Sequence, residues 1–290
     1  MSVTLSELLR WGKERLSSAN IEDYGISAEM LLRAVLDLSR SQLLLSRDRE
    51  ISSEIKSEYE KLISRRINRE PLQYIVGWVD FYNVILKSDS RALIPRPETE
   101  ILVDTVLRVI RGLSAPSILD IGTGSGNIAV ALARNAPGSH ITGVDINREA
   151  LQLAAFNSEH NSLAAQIKLV EGDILDNDFV KSLGLFDLVV SNPPYVAADE
   201  GHKLQPEITM FEPASALFCG QDPLKFFKTI IGCISYILKA GGYLAFEAGF
   251  GQPEQIVEFM KQDFKNIEIV EDLAGLERVV VGTYARSNKG

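Results

Sequence analysis

From Ser117 onward, short apolar runs rich in β-branched residues alternate with longer amphipathic stretches, and no other feature restricts the fold as much. Strands separated by helix-length segments are joined by crossovers, so the pattern implies a parallel sheet with helices on both faces. Strands are predicted near 117–121, 140–145, 167–171, 186–191, 241–247, 266–271 and 277–284, and helices near 126–135, 148–160, 223–238 and 253–262. Gly241-Gly242 reads as the stop of the helix before the fifth strand. Open α/β sheets hold their ligands beyond the carboxyl ends of the strands, so the residues that follow each strand carry the functional question.

The first strand runs into Gly122-Thr123-Gly124-Ser125-Gly126. Glycines there permit a tight turn and let a ligand approach the backbone amides closely. The spacing G-x-G-x-G is not the G-x-G-x-x-G of dinucleotide binders. The second strand closes at Asp145, a carboxylate placed to accept from both hydroxyls of a ribose, or else to cap the following helix. Asp173 and Ile174 follow the third strand, and Ile174 offers an apolar wall for a base.

The fourth strand, Phe186–Val190, ends in Ser191-Asn192-Pro193-Pro194-Tyr195. Asn192 brings a side-chain carbonyl and an NH2 group. The two prolines stiffen the turn and remove two backbone donors, leaving carbonyls free to accept. Tyr195 adds a flat apolar face. Such a turn suits a planar NH2-bearing group, although alone it is equally a proline-rich end to a core strand. A nicotinamide dinucleotide would leave it without a role. S-adenosylmethionine accounts for both ends, because a methyl donor needs an acceptor site across the strand ends.

The preceding third of the chain is different. Thr4-x-x-Glu7 forms a capping box ahead of Leu5, Leu8, Leu9 and Leu16. Ser27 is the expected cap of a second helix, and Ile55, Tyr59, Leu62, Ile63 and Ile67 form a third stripe that Pro71 follows. A small helical bundle is expected, with no chemical motif in it. Phe81–Leu86 and Arg91–Ile94 then read as a hairpin across Lys87–Ser90, and residues 196–220 as a long connection with no clear element. Residues 1–95 carry a net charge of 0 and the remainder −9, an unpromising balance for gripping nucleic acid. With 46% hydrophobic and 24% charged residues and no long apolar run, a cytoplasmic location is expected, without a membrane partner. Cys219, Cys233 and the scattered His140, His160 and His202 suggest no metal site.

Together these stretches resemble the HemK family of peptide chain release factor N5-glutamine methyltransferases. The likeness is carried by Pro71–Gly77, Leu93-Ile-Pro-Arg-Pro-Glu-Thr-Glu100, Ile118–Gly126, Val144-Asp145, Ser191–Tyr195, Phe211-Glu-Pro-Ala-Ser-Ala-Leu217 and Glu277-Arg278-Val279. The resemblance implies a helical substrate-docking domain (1–75), a β-hairpin linker (76–97) and a seven-stranded Rossmann-like methyltransferase domain (98–290). It implies S-adenosylmethionine held by Gly122, Thr123, Gly124, Ser125, Gly126, Asp145, Asp173, Ile174 and Asn192, with S-adenosylhomocysteine as product. It further implies that Asn192, Pro193, Pro194 and Tyr195 hold the glutamine of a Gly-Gly-Gln loop, in a chain that acts as a monomer on a protein substrate.

A carboxamide nitrogen is a poor nucleophile, so placement is the chemistry expected of Asn192 and Pro193: two oxygens accept the two N–H bonds while Tyr195 covers the amide plane. The alternative is an amino-methyltransferase acting on adenine or another base of nucleic acid, which needs a flipped base and a basic surface. A non-catalytic scaffold is the third reading, which the intact glycine turn, Asp145 and Asn192–Tyr195 disfavour.

Overall fold

The computed structural model describes residues 3–285, which divide into two compact units. One runs to Trp78 and takes in Leu204–Phe211; the other comprises Val79–Lys203 and the chain from Glu212 onward.

The first unit is helical, with Leu5–Ser18, Tyr24–Leu36, Arg40–Leu45, Ser53–Ile67 and Leu72–Val76 around one apolar core. Thr4 and Glu7 form the expected capping box, and Ser39 with Gln42 forms a second one that starts a helix absent from the pattern-based assignment. Ser27 is not a cap. The helix begins at Tyr24, and the Ser27 hydroxyl, one turn inside, donates to Asp23 Oδ2 (2.8 Å) and accepts from Arg66 Nε (3.2 Å). Arg66 is buried, and its guanidinium also reaches Glu207 (3.1 Å), which Arg69 contacts as well (3.3 Å). Glu207 lies on the helix Pro206–Phe211, inside the connection expected to lack regular elements. A charged side chain out of water requires such partners, so the sequence-remote Leu204–Phe211 is tied into the helical unit by ions.

Next along the chain, Trp78–Phe81 pairs with Val84–Lys87. The turn falls at Tyr82-Asn83, both with positive φ (37° and 64°), so Phe81–Leu86 is not one strand. Arg91–Ile94 is irregular rather than its partner. Two-residue hairpin turns favour such left-handed pairs, and Asn83 is the signal that marks this one.

The second unit is built on a seven-stranded sheet: β1 (Ser117–Ile121), β2 (His140–Asp145), β3 (Ile167–Glu171), β4 (Phe186–Ser191), β5 (Leu238–Glu247), β6 (Phe264–Glu271) and β7 (Glu277–Tyr284). The order is β3-β2-β1-β4-β5-β7-β6, and every expected strand is present. The sheet is mixed, because β7 is antiparallel to both β5 and β6. Gly241-Gly242 lies inside β5 rather than ending a helix. The register against β4 jumps there, from Phe186↔Leu238 to Leu188↔Tyr243, and Gly241 takes φ 79° at the irregularity. Apolar clusters cover both faces, one formed with Lys225–Ile237 and Pro253–Met260, the other with Thr99–Val109 and Asn127–Asn135.

The helical unit allows a direct packing test. Gly12 faces Tyr59, and a Cβ on Gly12 would sit 2.0 Å from the Tyr59 hydroxyl, which donates to the Ala28 carbonyl (3.0 Å). Gly12→Ala gains roughly 1 kcal/mol of helix propensity but forces a buried ring from its bond, an overpacking cost of about 1–3 kcal/mol. Denaturant unfolding should show net destabilisation; a more stable variant would refute the packing.

Candidate active site

The ladder fixes which residues meet. Ile121 pairs with Val144 on β2 and with Ser191 on β4, and Ser191 pairs with Phe246 on β5. One residue further along each strand, Gly122, Asp145, Asn192 and Glu247 therefore form a single row across the carboxyl end of the parallel strands. Beneath the row, Ser191 Oγ donates to the Ile121 carbonyl (2.8 Å).

The glycine turn is held to β2 through its backbone. Gly122 and Thr123 amides donate to the Val144 carbonyl (2.8 and 3.0 Å), and Thr123 Oγ1 donates to Asp120 Oδ2 (2.6 Å). Gly122, Gly124 and Gly126 all take positive φ (72°, 54° and 78°), which side chains rarely adopt. No atom lies within 4 Å of where a Gly122 Cβ would be, whereas one on Gly126 would come within 3.0 Å of Ala154. Gly122 and Gly124 thus leave room for a ligand, and Gly126 serves close packing. Asp120 is fully buried, and burial pushes its carboxyl up to about 7.

Asp145 is not the helix cap. Asn147 is, its side-chain oxygen accepting from the Glu149 and Ala150 amides. Asp145 instead accepts from Gly124 N through Oδ2 and from Asn147 N through Oδ1, both at 2.8 Å. Burial raises its pKa, while the amides of Asn147, Gly124 and Ile146 oppose the rise. A carboxylate has about four lone-pair positions, so the backbone donors do not exhaust its capacity to accept from a ligand's hydroxyls.

These groups border a cavity of about 340 Å³ that Gly122, Thr123, Gly124, Ser125, Asp145, Asp173, Ile174, Asn192, Pro193 and Pro194 all line. That volume falls within the range of small-molecule sites. Asp173 reaches the cavity, yet its Oδ1 accepts from Leu175 N (2.8 Å), so part of the carboxylate serves its own turn. Ile146 and Leu175 join Ile174 as apolar lining. Neither was singled out from sequence; each follows immediately after a residue that was.

Two expected residues stand off the cavity lining. Gly126 opens the helix Asn127–Asn135 as its cap residue. The Tyr195 ring packs with the core beside Gly249, and burial, with Glu247 nearby, pushes its phenol up to about 12. Its carbonyl accepts from Gln252 Nε2 (3.3 Å), while Gln252 Oε1 accepts from Gly249 N (2.9 Å). In this structure Tyr195 therefore packs against the core and anchors the turn, off the cavity lining.

Asn192 Nδ2 donates to Thr99 Oγ1 (3.2 Å), which takes up one of its two N–H bonds. The carbonyl oxygen of Asn192 is the half left for a ligand. Glu247 closes the row behind them, 3% exposed, its Oε2 without a hydrogen-bond partner among the described residues. Burial pushes its carboxyl up to about 7, against lowering contributions from Thr99, Arg278 and Asn192.

Residues 7–77 match the PrmC N-terminal domain model, and residues 114–280 match a methyltransferase domain model. The release factor glutamine methyltransferase of Koribacter versatilis is 36% identical over 280 residues, covering 97% of this chain and 98% of that one. The enzyme of the same name from Thermodesulfovibrio yellowstonii is 40% identical over 257 residues, covering 88% and 90%. This chain belongs to the release factor glutamine methyltransferase family. Among solved structures, the hMettl16 catalytic domain in complex with the MAT2A 3'UTR hairpin 6 superposes with a TM-score of 0.57 at 16% identity, covering 83% of this chain and 87% of that one. That likeness supports the methyltransferase fold of this family member.

For a release factor glutamine methyltransferase with this row of residues, the pH dependence of stability is set partly by Glu247. Its folded pKa, about 7, stands above the ordinary 4.5, so its contribution is full below pH 4.5 and is lost as pH rises through 7. Glu247→Gln removes the titration while keeping the shape. Its stability relative to the parent should rise between pH 5 and 8, by on the order of 2–3 kcal/mol at most. Denaturant unfolding at the two pH values measures this, and a pH-independent difference would show an ordinary carboxylate.

Proposed function

We propose that the chain transfers a methyl group from S-adenosylmethionine to the side-chain amide nitrogen, N5, of the glutamine in the Gly-Gly-Gln motif of peptide chain release factors. The observation that carries the proposal is one cavity bordered at one end by the glycine turn and Asp145, and at the other by an asparagine whose NH2 is already engaged. The residues present fit the donor: Asp145 keeps lone pairs for a ribose, Gly122 leaves space beside the backbone, and Ile146, Ile174 and Leu175 are apolar neighbours for a base. When bound, S-adenosylmethionine supplies a methyl group on a positively charged sulfur. The helical unit is the proposed docking domain for the release factor, which would be methylated by a cytoplasmic monomer.

What the chain itself contributes is placement. Asn192 Oδ1 and the Pro193 carbonyl are acceptors, so they hold a group with two N–H bonds and discriminate against a carboxylate, which has no proton to donate. Two fixed acceptors leave the nitrogen with one orientation, and orientation is what a weakly nucleophilic amide lacks. Thr99 accepts from the Asn192 NH2, which leaves Oδ1 of the same amide for the substrate. The family relatives at 36–40% identity and the net charge of −9 both favour a protein acceptor over nucleic acid.

The direct test is incubation with labelled S-adenosylmethionine and either purified release factor or bulk nucleic acid. Label should enter the factor, on glutamine; label in nucleic acid alone would overturn the reading. Two variants separate the ends of the cavity. Asp145→Ala should weaken cofactor binding by about 1.5–3 kcal/mol per charge-assisted bond lost, read by titration calorimetry. Asn192→Ala should lower the single-turnover rate by about 10²-fold at saturating cofactor with little change in cofactor affinity. Parental chemistry in Asn192→Ala would reduce the turn to a strand end.

A further inference from the structure

The cavity wall between the hairpin and the helix Thr99–Val109 has no ladder of its own. Residues 93–96 are in neither helix nor strand, and Pro95 and Pro97 have no amide to donate. Ile94, Pro95 and Arg96 nevertheless line the cavity, so something else must fix them. Glu212 does. Its Oε2 accepts from the Ile94 amide (3.0 Å) and its Oε1 from Arg96 Nη2 (2.5 Å), and its side chain is only 1% exposed. A buried carboxylate with two charge-assisted or backbone donors is a strong, geometrically specific tie.

The tie leads on to Asn192. The Arg96 carbonyl accepts from the Thr99 amide (3.1 Å), the first turn of that helix. Thr99 Oγ1 in turn accepts from Asn192 Nδ2 (3.2 Å). On its other side Glu212 begins the stretch through Phe218, which is joined to the chain just after the asparagine turn. Val196 N donates to the Leu217 carbonyl (3.1 Å), and Cys219 N to the Val196 carbonyl (3.0 Å). One carboxylate therefore holds both segments that flank the Asn192 turn.

We propose that Glu212 is a positioning residue for the acceptor nitrogen, acting through Arg96 and Thr99 to fix where the Asn192 side chain sits at the cavity. The proposal rests on the reading of Asn192 as the group that holds the acceptor. It explains why a glutamate is buried where an apolar residue would pack with less cost. It also separates the function of this wall from cofactor binding, since Glu212 touches neither the glycine turn nor Asp145.

The test uses the full chain and the acceptor that the parent labels. Glu212→Gln keeps the shape and one acceptor oxygen for Ile94 but presents an NH2 to Arg96. The expected result is a single-turnover rate roughly 10- to 100-fold lower at saturating cofactor, with cofactor affinity within about twofold of the parent. In a Thr99→Val background, Glu212→Gln should cost little more, because the two substitutions interrupt one path and such effects are not additive. Parental rates, an equal loss of cofactor affinity, or full additivity with Thr99→Val would each overturn the proposal. Should Glu212→Gln not fold, Arg96→Leu decides: a slower rate at unchanged cofactor affinity supports the proposal, and a parental rate refutes it. If the parent labels nucleic acid instead of a release factor, the proposed substrate is wrong, and the same comparison on that acceptor still decides the role of Glu212.

Discussion

The parallel register of the central strands is the constraint on which the rest depends. Because Ile121, Val144, Ser191 and Phe246 are level, the next residue on each strand is level too, and one row carries a glycine, two acids and an asparagine. A slip of one residue in β4 would turn Asn192 to the other face of the sheet. The apolar packing on both faces makes such a slip costly, so the core that stabilises the sheet also sets the geometry of the site.

Around that row, side chains that would be costly to bury alone are given partners in a graded way. Asp145 receives two amides, Asn192 one hydroxyl, and Glu212 an amide and a guanidinium. Asp120 and Glu247 are less well served, and both carboxyls are pushed up to about 7 by burial. Carboxyls kept out of water with incomplete pairing are a stability cost that packing elsewhere must offset. They concentrate under the cavity, where a site that must hold a ligand cannot also be filled.

Much of this was legible before any coordinates. Continuous β-branched runs marked all seven strands, and glycine spacing, Asp145 and Asn192-Pro193-Pro194 marked the strand ends that line the cavity. What was not legible was mostly non-local. Tyr195 has an amphipathic side chain that could face either way, and only its packing at Gly249 sends it inward. The antiparallel β7 has the same apolar pattern as a parallel strand, and its direction is legible only in the short connection 272–276, too brief for a crossover. Thr99, Glu212 and Glu247 are ordinary polar residues in sequence; their roles come from partners up to 118 positions away. Ser27 failed as a cap for a local reason, since Asp23 four residues earlier is an equally good start signal. The helix Pro206–Phe211 is too short for a periodicity, and the ions that hold it are remote in sequence.

The central claim is that one row of strand ends serves both a methyl donor and an amide acceptor. A crystal structure of the chain with S-adenosylhomocysteine and a release-factor fragment tests it most directly. The account predicts the ribose on Asp145 and the glutamine side-chain nitrogen within hydrogen-bond distance of both Asn192 Oδ1 and the Pro193 carbonyl, with Tyr195 still packed inward. A glutamine amide bound away from Asn192, or a ribose that ignores Asp145, would contradict it.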